Sequence, residues 1–202
     1  SKATGRAHHA VALDHLDATS CEAGFKAAVE QAGTIDVLVN NAGKNARGPF
    51  EKIPLDEMLA ILDTNLRAAM VLTHLALPTM RAQGSGTVVN VASLAGRFPL
   101  DDEATYSASK FALRIFSFAV AEELRDTNVR VTVVSPGPVD TGFITDPVVI
   151  DDVPPLVLAQ QRLVMLEGLD VGIRADAYVH VAVLGRQLEE TVQVVEADRL
   201  HL

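Results

Sequence analysis

Tyr106 and Lys110 are four residues apart where the sequence predicts the start of a helix, so their side chains share one helix face. A free tyrosine has a pKa of about 10, which is too high for an efficient base at neutral pH. A nearby ammonium group favours the phenolate and lowers that pKa. The pair therefore predicts general acid/base chemistry in which the tyrosine gives or takes the proton.

Two further polar residues can serve the same chemistry. Ser93 ends a predicted strand thirteen residues before Tyr106, and its hydroxyl can hydrogen-bond the oxygen of a reacting carbonyl. Asn65 lies inside a predicted long helix, where asparagine has no propensity advantage. We expect Asn65 to bind water and relay protons behind Lys110; an interior asparagine that faces solvent is the alternative.

The elements that position these residues alternate between short apolar runs and longer helical stretches. Strands are predicted at 10–13, 35–39, 87–91, 129–134 and 191–195. Helices are predicted at 17–32, 55–81 and 104–126. Asp17 is a good N-cap for the first helix, and Pro78 should kink or end the second. The third helix is apolar on more than one side, which indicates either a subunit interface or a deeply buried core helix.

Strands that alternate with helices predict βαβ units, a parallel sheet and a single α/β domain over residues 1–202. Such a sheet binds ligands at the carboxyl ends of its strands. The predicted strand ends carry Asp14, the turn at 40–43, Ser93 and the turn at 136–137. We expect these four strand ends to line one crevice.

The composition limits the class of protein. The 202 residues suit one domain, and 49% hydrophobic with 21% charged residues is ordinary globular usage. A net charge of −9 argues against a nucleic-acid partner. No apolar run has the length of a membrane span, and the only cysteine, Cys21, cannot form a disulfide within the chain. We therefore expect a cytoplasmic protein with neither a membrane nor a nucleic-acid partner.

Other kinds of site find no support in the sequence. None of the six histidines is spaced from cysteines or carboxylates as metal ligands are, so we expect no metal site. Ser93 does not lie in a Gly-x-Ser-x-Gly motif, which argues against a hydrolase nucleophile.

Six segments, in this order, resemble the short-chain dehydrogenase/reductase family. They lie at 14–17, 40–43, 65, 91–93, 106–110 and 136–141. The resemblance covers about residues 8–145 and is weaker beyond them. It implies a Rossmann-type, doubly wound parallel sheet with helices on both faces and a nicotinamide cofactor, NAD or NADP. It also implies an oxidoreductase that interconverts an alcohol and a ketone or aldehyde.

The resemblance implies a role for each matching residue. Tyr106 would protonate or deprotonate the substrate oxygen, and Ser93 would orient the carbonyl. Lys110 would bind the nicotinamide ribose and tune Tyr106, while Asn65 would complete the proton relay. The residues implied to line the cofactor cleft are Asp14 and His15 near the adenine, Asn41, Ala42 and Gly43 along the cleft, and Pro136, Gly137, Val139 and Thr141 with Tyr106 and Lys110 at the nicotinamide end.

One part of the family pattern is missing from the sequence. The family opens with a strand, a Gly-rich turn and a helix whose N-terminus binds the pyrophosphate, but Gly5 is not followed by further glycines. We expect this first βαβ unit, of about 30 residues or more, to lie outside this sequence. The alternative is a short protein that has lost cofactor binding. The residue that selects NAD or NADP belongs to the missing unit, so the choice is not readable.

Two segments bear on the substrate and the partners. Asp101, Asp102 and Glu103 precede Tyr106 at the expected pocket mouth, either as a solvated loop or as charges that disfavour anionic substrates such as acyl-carrier thioesters. Residues 143–169 are predicted to form a substrate lid with an apolar wall, and a helix packed on the sheet fits them equally well. We expect a small carbonyl or alcohol substrate and a homodimer or homotetramer.

Two other functions fit the same residues. A non-catalytic family member would act as a binding or scaffold protein, and the missing phosphate loop favours it. An epimerase or dehydratase would use the same pair, Tyr106 and Lys110. The Asn-Asn-Ala-Gly turn at 40–43 argues against the second, because it resembles the dehydrogenase/reductase branch.

Overall fold

The computed structural model describes residues 9–137 and the short segments 165–167, 179–181 and 191–194. Within these residues, seven strands form one sheet. They are β1 (His9–Ala12), β2 (Val37–Asn40), β3 (Gly86–Val91), β4 (Val129–Ser135), β5 (Met165–Glu167), β6 (Val179–Val181) and β7 (Thr191–Val194). Their order across the sheet is β1-β7-β6-β2-β3-β4-β5.

The middle of the sheet is parallel, as the alternating pattern predicts. Strand β2 pairs in parallel with β6 on one side and β3 on the other, and β3 pairs in parallel with β4. Strand β7 is antiparallel to both of its neighbours, and β5 is antiparallel to β4. Strand β5 falls inside the predicted lid at 143–169; the rest of that segment lies outside the described residues.

Four α-helices connect the described strands. They are α1 (Ala18–Ala32), α2 (Leu55–Leu62), α3 (Ala68–Gln83) and α4 (Ala104–Glu123). Asp17 caps α1 as predicted, because its carboxylate accepts the backbone N–H of Thr19 at 2.9 Å. None of the described helices combines the length and apolarity needed to cross a membrane.

The helix predicted over 55–81 is divided into α2 and α3 by a π-helical turn, Asp63–Arg67. Such a π-turn occurs inside an otherwise continuous helical run, which is why one unbroken helix was expected. Pro78 does not end α3, which continues to Gln83. Its neighbours Ala76 and Met80 are fully buried, so their packing offsets the backbone hydrogen bond that proline cannot make.

Helices α1, α3 and α4 share one hydrophobic core with the sheet. The cluster combines residues of all three helices with residues of the strands: Cys21, Ala28, Leu72, Met80, Val120 and Leu124 with Val11, Leu38, Val88 and Val131. This burial fixes β2, β3 and β4 against α3 and α4. The carboxyl ends of these strands, and the side chains that follow them, are therefore held in place by the core.

Candidate active site

Ser93 follows β3 at a point where the chain still pairs with the end of β4 and with the residue after it. The N–H of Ala92 donates to the carbonyl of Val134 at 2.7 Å, and the N–H of Leu94 donates to the carbonyl of Pro136 at 3.0 Å. Ser93 is held between these two bonds, in extended backbone. The predicted turn at 136–137 therefore lies beside Ser93, at the carboxyl end of the two strands.

Tyr106 lies in the first turn of α4, is 9% exposed, and forms a hydrogen bond with the Ser93 side chain. Burial raises the pKa of Tyr106 above its ordinary value, the bond to Ser93 lowers it, and the Glu103 carboxylate raises it. The net shift is upward, so the hydroxyl is protonated at neutral pH. From the sequence we expected Lys110 to lower the pKa of Tyr106. In the structure, the upward effect of burial on that pKa is larger.

Lys110 is buried one helical turn from Tyr106. Its Nζ donates to the carbonyl of Val91, the last residue of β3, at 2.9 Å and lies 5.7 Å from the centre of the Tyr106 ring. The ammonium is thus bonded to the end of β3. Burial lowers the pKa of Lys110 to about 8, so at neutral pH the group still carries most of its charge.

Gly96 lets the turn after Ser93 approach the helix that carries Tyr106 and Lys110. A Cβ atom at Gly96 would lie 2.8 Å from the carbonyl carbon and oxygen of Lys110. Any side chain there would force the Ser93 turn and α4 apart. No pattern in the sequence indicates this contact, because it joins two segments that pack only in the folded chain.

Asn65 lies in the π-helical turn and is 1% exposed. Its Oδ1 accepts the N–H of Lys44 at 2.7 Å, and its Nδ2 donates to the carbonyl of Lys44 and to Ser109 Oγ, each at 2.9 Å. The Ser109 hydroxyl in turn donates to the carbonyl of Tyr106 at 2.7 Å. The Asn65 amide therefore fastens the loop after β2 to α4. The proton relay behind Lys110 stays a prediction.

A buried polar chain beneath the site was missed by the sequence reasoning. Asn40 Nδ2 donates to Asn90 Oδ1 at 2.8 Å and to Thr73 Oγ1 at 3.2 Å. Asn90 Nδ2 donates to Ser117 Oγ at 2.8 Å. These bonds link β2, β3, α3 and α4 directly behind the strand ends. The asparagines inside apolar strands are the sequence signal that could have revealed this buried polar network.

His15 follows β1 in a turn that begins with Asp14. Asp14 is exposed, and its Oδ1 accepts the N–H of Leu16 at 2.8 Å. His15 is 4% exposed, and neither ring nitrogen has a hydrogen-bond partner. Burial lowers the pKa of His15 to about 4, against the Asp14 carboxylate, which raises it. The imidazole is therefore neutral at physiological pH, with one donor and one acceptor to offer a ligand.

A small pocket joins this turn to the end of β2. Its lining residues are His15, Asn40, Ala42, Thr64, Asn65, Ala69 and Leu72. The Oδ1 atom of Asn40 also lacks a hydrogen-bond partner. Buried polar atoms without partners at a pocket fit a polar ligand group, such as the one implied for the adenine end of the cofactor. Asn41 and Gly43 flank Ala42 in the turn that leaves β2.

Other parts of the predicted cofactor site are absent from the described residues. The part of the chain that the structure describes contains no Gly-rich turn for a pyrophosphate. Val139 and Thr141, implied at the nicotinamide end, lie outside the described residues. In the described ranges, no group of three or more His, Cys, Asp or Glu side chains is arranged to hold a metal ion.

The acidic segment before Tyr106 divides into two parts. Asp101 and Asp102 are exposed, as a solvated loop would be. Glu103 is 7% exposed, and its Oε1 lies 2.9 Å from Arg47 Nε. One of the three carboxylates is thus buried and paired beside the candidate site.

Comparison with known proteins identifies the family of this chain. The family model described as short chain dehydrogenase matches residues 1–147. The ketoacyl reductase HetN of Nostoc sp. is 42% identical over 146 residues, which are 72% of this chain and 51% of that protein. The trans-4-hydroxycyclohexanecarboxylate dehydrogenase of Sinomonas cyclohexanicum is 37% identical over 141 residues, 68% of this chain and 54% of that protein. The chain spans about half the length of these curated relatives.

Solved structures show the same fold. A metagenomic short-chain oxidoreductase in complex with NADP is 38% identical with a TM-score of 0.59, over 63% of this chain and 58% of that chain. A short-chain dehydrogenase from Streptomyces avermitilis is 34% identical with a TM-score of 0.60, over 62% of this chain and 46% of that chain. These matches confirm the predicted Rossmann-type fold, and the nicotinamide cofactors of that family are NAD and NADP. The chain belongs to the short-chain dehydrogenase/reductase family.

Proposed function

We propose that this chain carries the catalytic part of an NAD(P)-dependent oxidoreductase that interconverts an alcohol and a ketone or aldehyde. The observation that carries the proposal is the hydrogen bond between the hydroxyls of Ser93 and Tyr106 at the end of β3, with the Lys110 ammonium 5.7 Å from the tyrosine ring. Two hydroxyls and one cation converge where a parallel sheet binds its ligands. This set can hold a carbonyl oxygen and give it a proton.

In reduction, the chain's own residues handle the proton. Tyr106 gives its hydroxyl proton to the carbonyl oxygen as that oxygen gains charge, and Ser93 donates a hydrogen bond to the same oxygen. The nicotinamide, when bound, supplies the hydride to the carbonyl carbon. The Lys110 ammonium stabilises the phenolate left on Tyr106. Oxidation of an alcohol runs through the same contacts in reverse.

The environment of Tyr106 favours the acid role. Burial and the Glu103 carboxylate both raise the pKa of Tyr106, so the hydroxyl carries its proton at neutral pH. A protonated tyrosine is the form that donates to a carbonyl oxygen. We therefore propose that Tyr106 acts as the acid when the protein reduces a carbonyl.

The remaining predicted residues are proposed to hold the cofactor. His15 and Asn40 line the pocket at the end of β2 with polar atoms that lack partners, and Ala42 lines it beside them. We assign this pocket to the adenine end. Asn41, Gly43, Pro136 and Gly137 would continue the cleft toward Lys110, whose ammonium would also bind the nicotinamide ribose.

The test is cofactor binding followed by product analysis, on the intact protein. NADPH and NADH are titrated separately by their fluorescence, and turnover is then assayed with acetoacetyl-N-acetylcysteamine and cyclohexanone as probes. We expect binding of at least one cofactor and one alcohol formed for each NAD(P)H oxidised. A protein that binds neither cofactor would be a scaffold, and product formed without net cofactor oxidation would indicate an epimerase or dehydratase.

We also propose that the protein is a homodimer or homotetramer. Phe111 and Ile115 lie one turn apart on α4 and are 54% and 53% exposed, and Leu59 of the neighbouring α2 is 48% exposed. Large apolar side chains grouped in this way are typical of a subunit interface. The free, buried thiol of Cys21 supports a reducing compartment, for which we propose the cytoplasm.

A further inference from the structure

Glu103 occupies the N-cap position of α4, three residues before Tyr106, yet its side chain does not cap the helix. A side chain at this position usually accepts a hydrogen bond from a backbone N–H of the first turn. The Glu103 carboxylate turns to the loop after β2 instead, where Arg47 Nε lies 2.9 Å from its Oε1 and Asn45 supplies a side-chain hydrogen bond. The side chain is therefore used for a contact between two segments.

A backbone bond supports the same contact. The N–H of Gly48 donates to the carbonyl of Asp102 at 2.9 Å. Asp102 has a φ of 59°, a left-handed conformation that costs energy for a residue other than glycine. The chain thus accepts a strained residue at the point where the loop after β2 meets the start of α4. The Asn65 amide anchors the other end of that loop, at Lys44.

Glu103 precedes Tyr106 by three residues at the start of α4, and its negative charge raises the pKa of Tyr106. The carboxylate is 7% exposed, so water screens it weakly. Among the described residues, the Lys110 ammonium on α4 also lies near the tyrosine, and the half-exposed Arg47 guanidinium lies behind Glu103. Lys44 of the same loop is paired with Glu57 of α2 at 2.7 Å. Arg47 is partly exposed to water, so it does not fully neutralise the buried Glu103 carboxylate. The remaining negative charge acts on Tyr106.

We propose that Glu103, held by Arg47, is a positioning residue for Tyr106 that places a buried negative charge beside the tyrosine. The inference rests on the proposed function, because it assumes that Tyr106 is the proton donor. The ion pair has two effects: it fixes the first turn of α4 against the loop after β2, and it biases Tyr106 toward its protonated form.

The chain offers a direct test, because it contains no tryptophan and only two tyrosines. In a Tyr178→Phe background, Tyr106 is the only tyrosine of the chain, so its ionisation is read from the ultraviolet absorbance of tyrosinate without cofactor or substrate. Far-ultraviolet circular dichroism along the titration monitors the fold. The test variants in that background are Glu103→Gln and Arg47→Gln. Asp101→Asn is the matched control, since it removes an exposed carboxylate of the same segment.

The two test variants should move the titration in opposite directions. Glu103→Gln removes the negative field, so the midpoint of Tyr106 should fall to lower pH. Arg47→Gln leaves the carboxylate less neutralised, so the midpoint should rise. Asp101→Asn should match the parent. A merely structural role would not give opposite signs, and Arg47→Gln gives a reading even if Glu103→Gln does not fold.

The proposal is overturned if Glu103→Gln titrates like Asp101→Asn, or if both test variants shift in the same direction. These outcomes are separable from failure of the proposed function. If a Tyr106→Phe protein kept its turnover while Glu103→Gln lowered the midpoint, the proton donor would be wrong and the electrostatic coupling correct. The reverse pair of results would leave the proton donor correct and Glu103 without this role.

Discussion

Asn40 and Asn90 join side chains across the two neighbouring parallel strands β2 and β3, with Asn40 Nδ2 2.8 Å from Asn90 Oδ1. The two residues are directly paired in the strand register, 50 positions apart in sequence. Asn90 is fully buried and Asn40 is 5% exposed. Removing one member of a polar chain at this depth leaves polar atoms of its neighbours buried without a partner. It ties the strand ends of the candidate site to α3 and α4.

Replacing Asn90 by alanine should destabilise the chain. The substitution leaves Asn40 Nδ2 without its shortest bond and Ser117 Oγ without its donor, both away from water. We expect a loss of about 2 kcal/mol in the free energy of unfolding, measured by urea denaturation. The exposed Asn128, changed to alanine, is the control and should stay within about 0.5 kcal/mol of wild type. Equal stabilities for the two variants would contradict the network.

Lys110→Met should stabilise the chain at neutral pH and do so less as the pH rises. The folded chain lowers the pKa of Lys110 from 10.5 to about 8, so the unfolded chain binds the proton first as the pH falls. The native chain therefore loses stability as the pH falls from 10.5 to about 8 and loses little more below that. The wild-type chain loses about 3 kcal/mol of unfolding free energy across this range. The gain in Lys110→Met is smaller by the contribution of the hydrogen bond to Val91, which the variant cannot make.

The measurement is urea denaturation of wild type and variant across this pH range. Lys52→Met, which removes an exposed lysine, should show no comparable pH dependence. A stability difference between Lys110→Met and wild type that does not change with pH would contradict the buried, depressed lysine.

His15 should make the stability of the folded chain sensitive to acid, whereas the Lys110 effect falls in the alkaline range. Its pKa is lowered from 6.5 to about 4 in the folded chain, so stability is complete above 6.5 and is lost as the pH falls toward 4. The loss should be about 3 kcal/mol in total and absent from His15→Leu. Thermal or urea unfolding between these pH values checks it, with the exposed His74→Leu as control. Parallel stability curves for wild type and His15→Leu would show that His15 is not buried as a neutral group.

The proposed assembly depends on the exposed face of α4. Phe111→Glu together with Ile115→Glu should convert a dimer or tetramer into smaller species without unfolding it, because both side chains are exposed in the single chain. Light scattering coupled to size-exclusion chromatography measures the mass. Phe50→Glu changes another exposed apolar residue, outside α4, and should leave the assembly intact. An oligomer that survives the double substitution would have its interface elsewhere.

The sequence predicted the parts of the site that depend on local spacing. Tyr106 and Lys110 share a helix face because they are four residues apart, and Ser93 follows an apolar run whose strand character is plain. The contacts that tune the site could not be predicted in this way. Arg47 reaches Glu103, and Gly96 meets the Lys110 backbone, only because tertiary packing brings separate segments together. The direction of the Tyr106 pKa was missed for the same reason, since burial is not a local property of sequence.

The most direct test of the account is the turnover of Tyr106→Phe in the intact protein, assayed with its preferred cofactor on acetoacetyl-N-acetylcysteamine or cyclohexanone. Loss of the proton donor should lower kcat by about 100-fold or more, while the variant still binds the cofactor in a fluorescence titration. Ser107→Ala, which removes the adjacent hydroxyl, is the matched control and should keep kcat within about threefold of wild type. A Tyr106→Phe protein with wild-type kcat would contradict the assignment of Tyr106 as general acid.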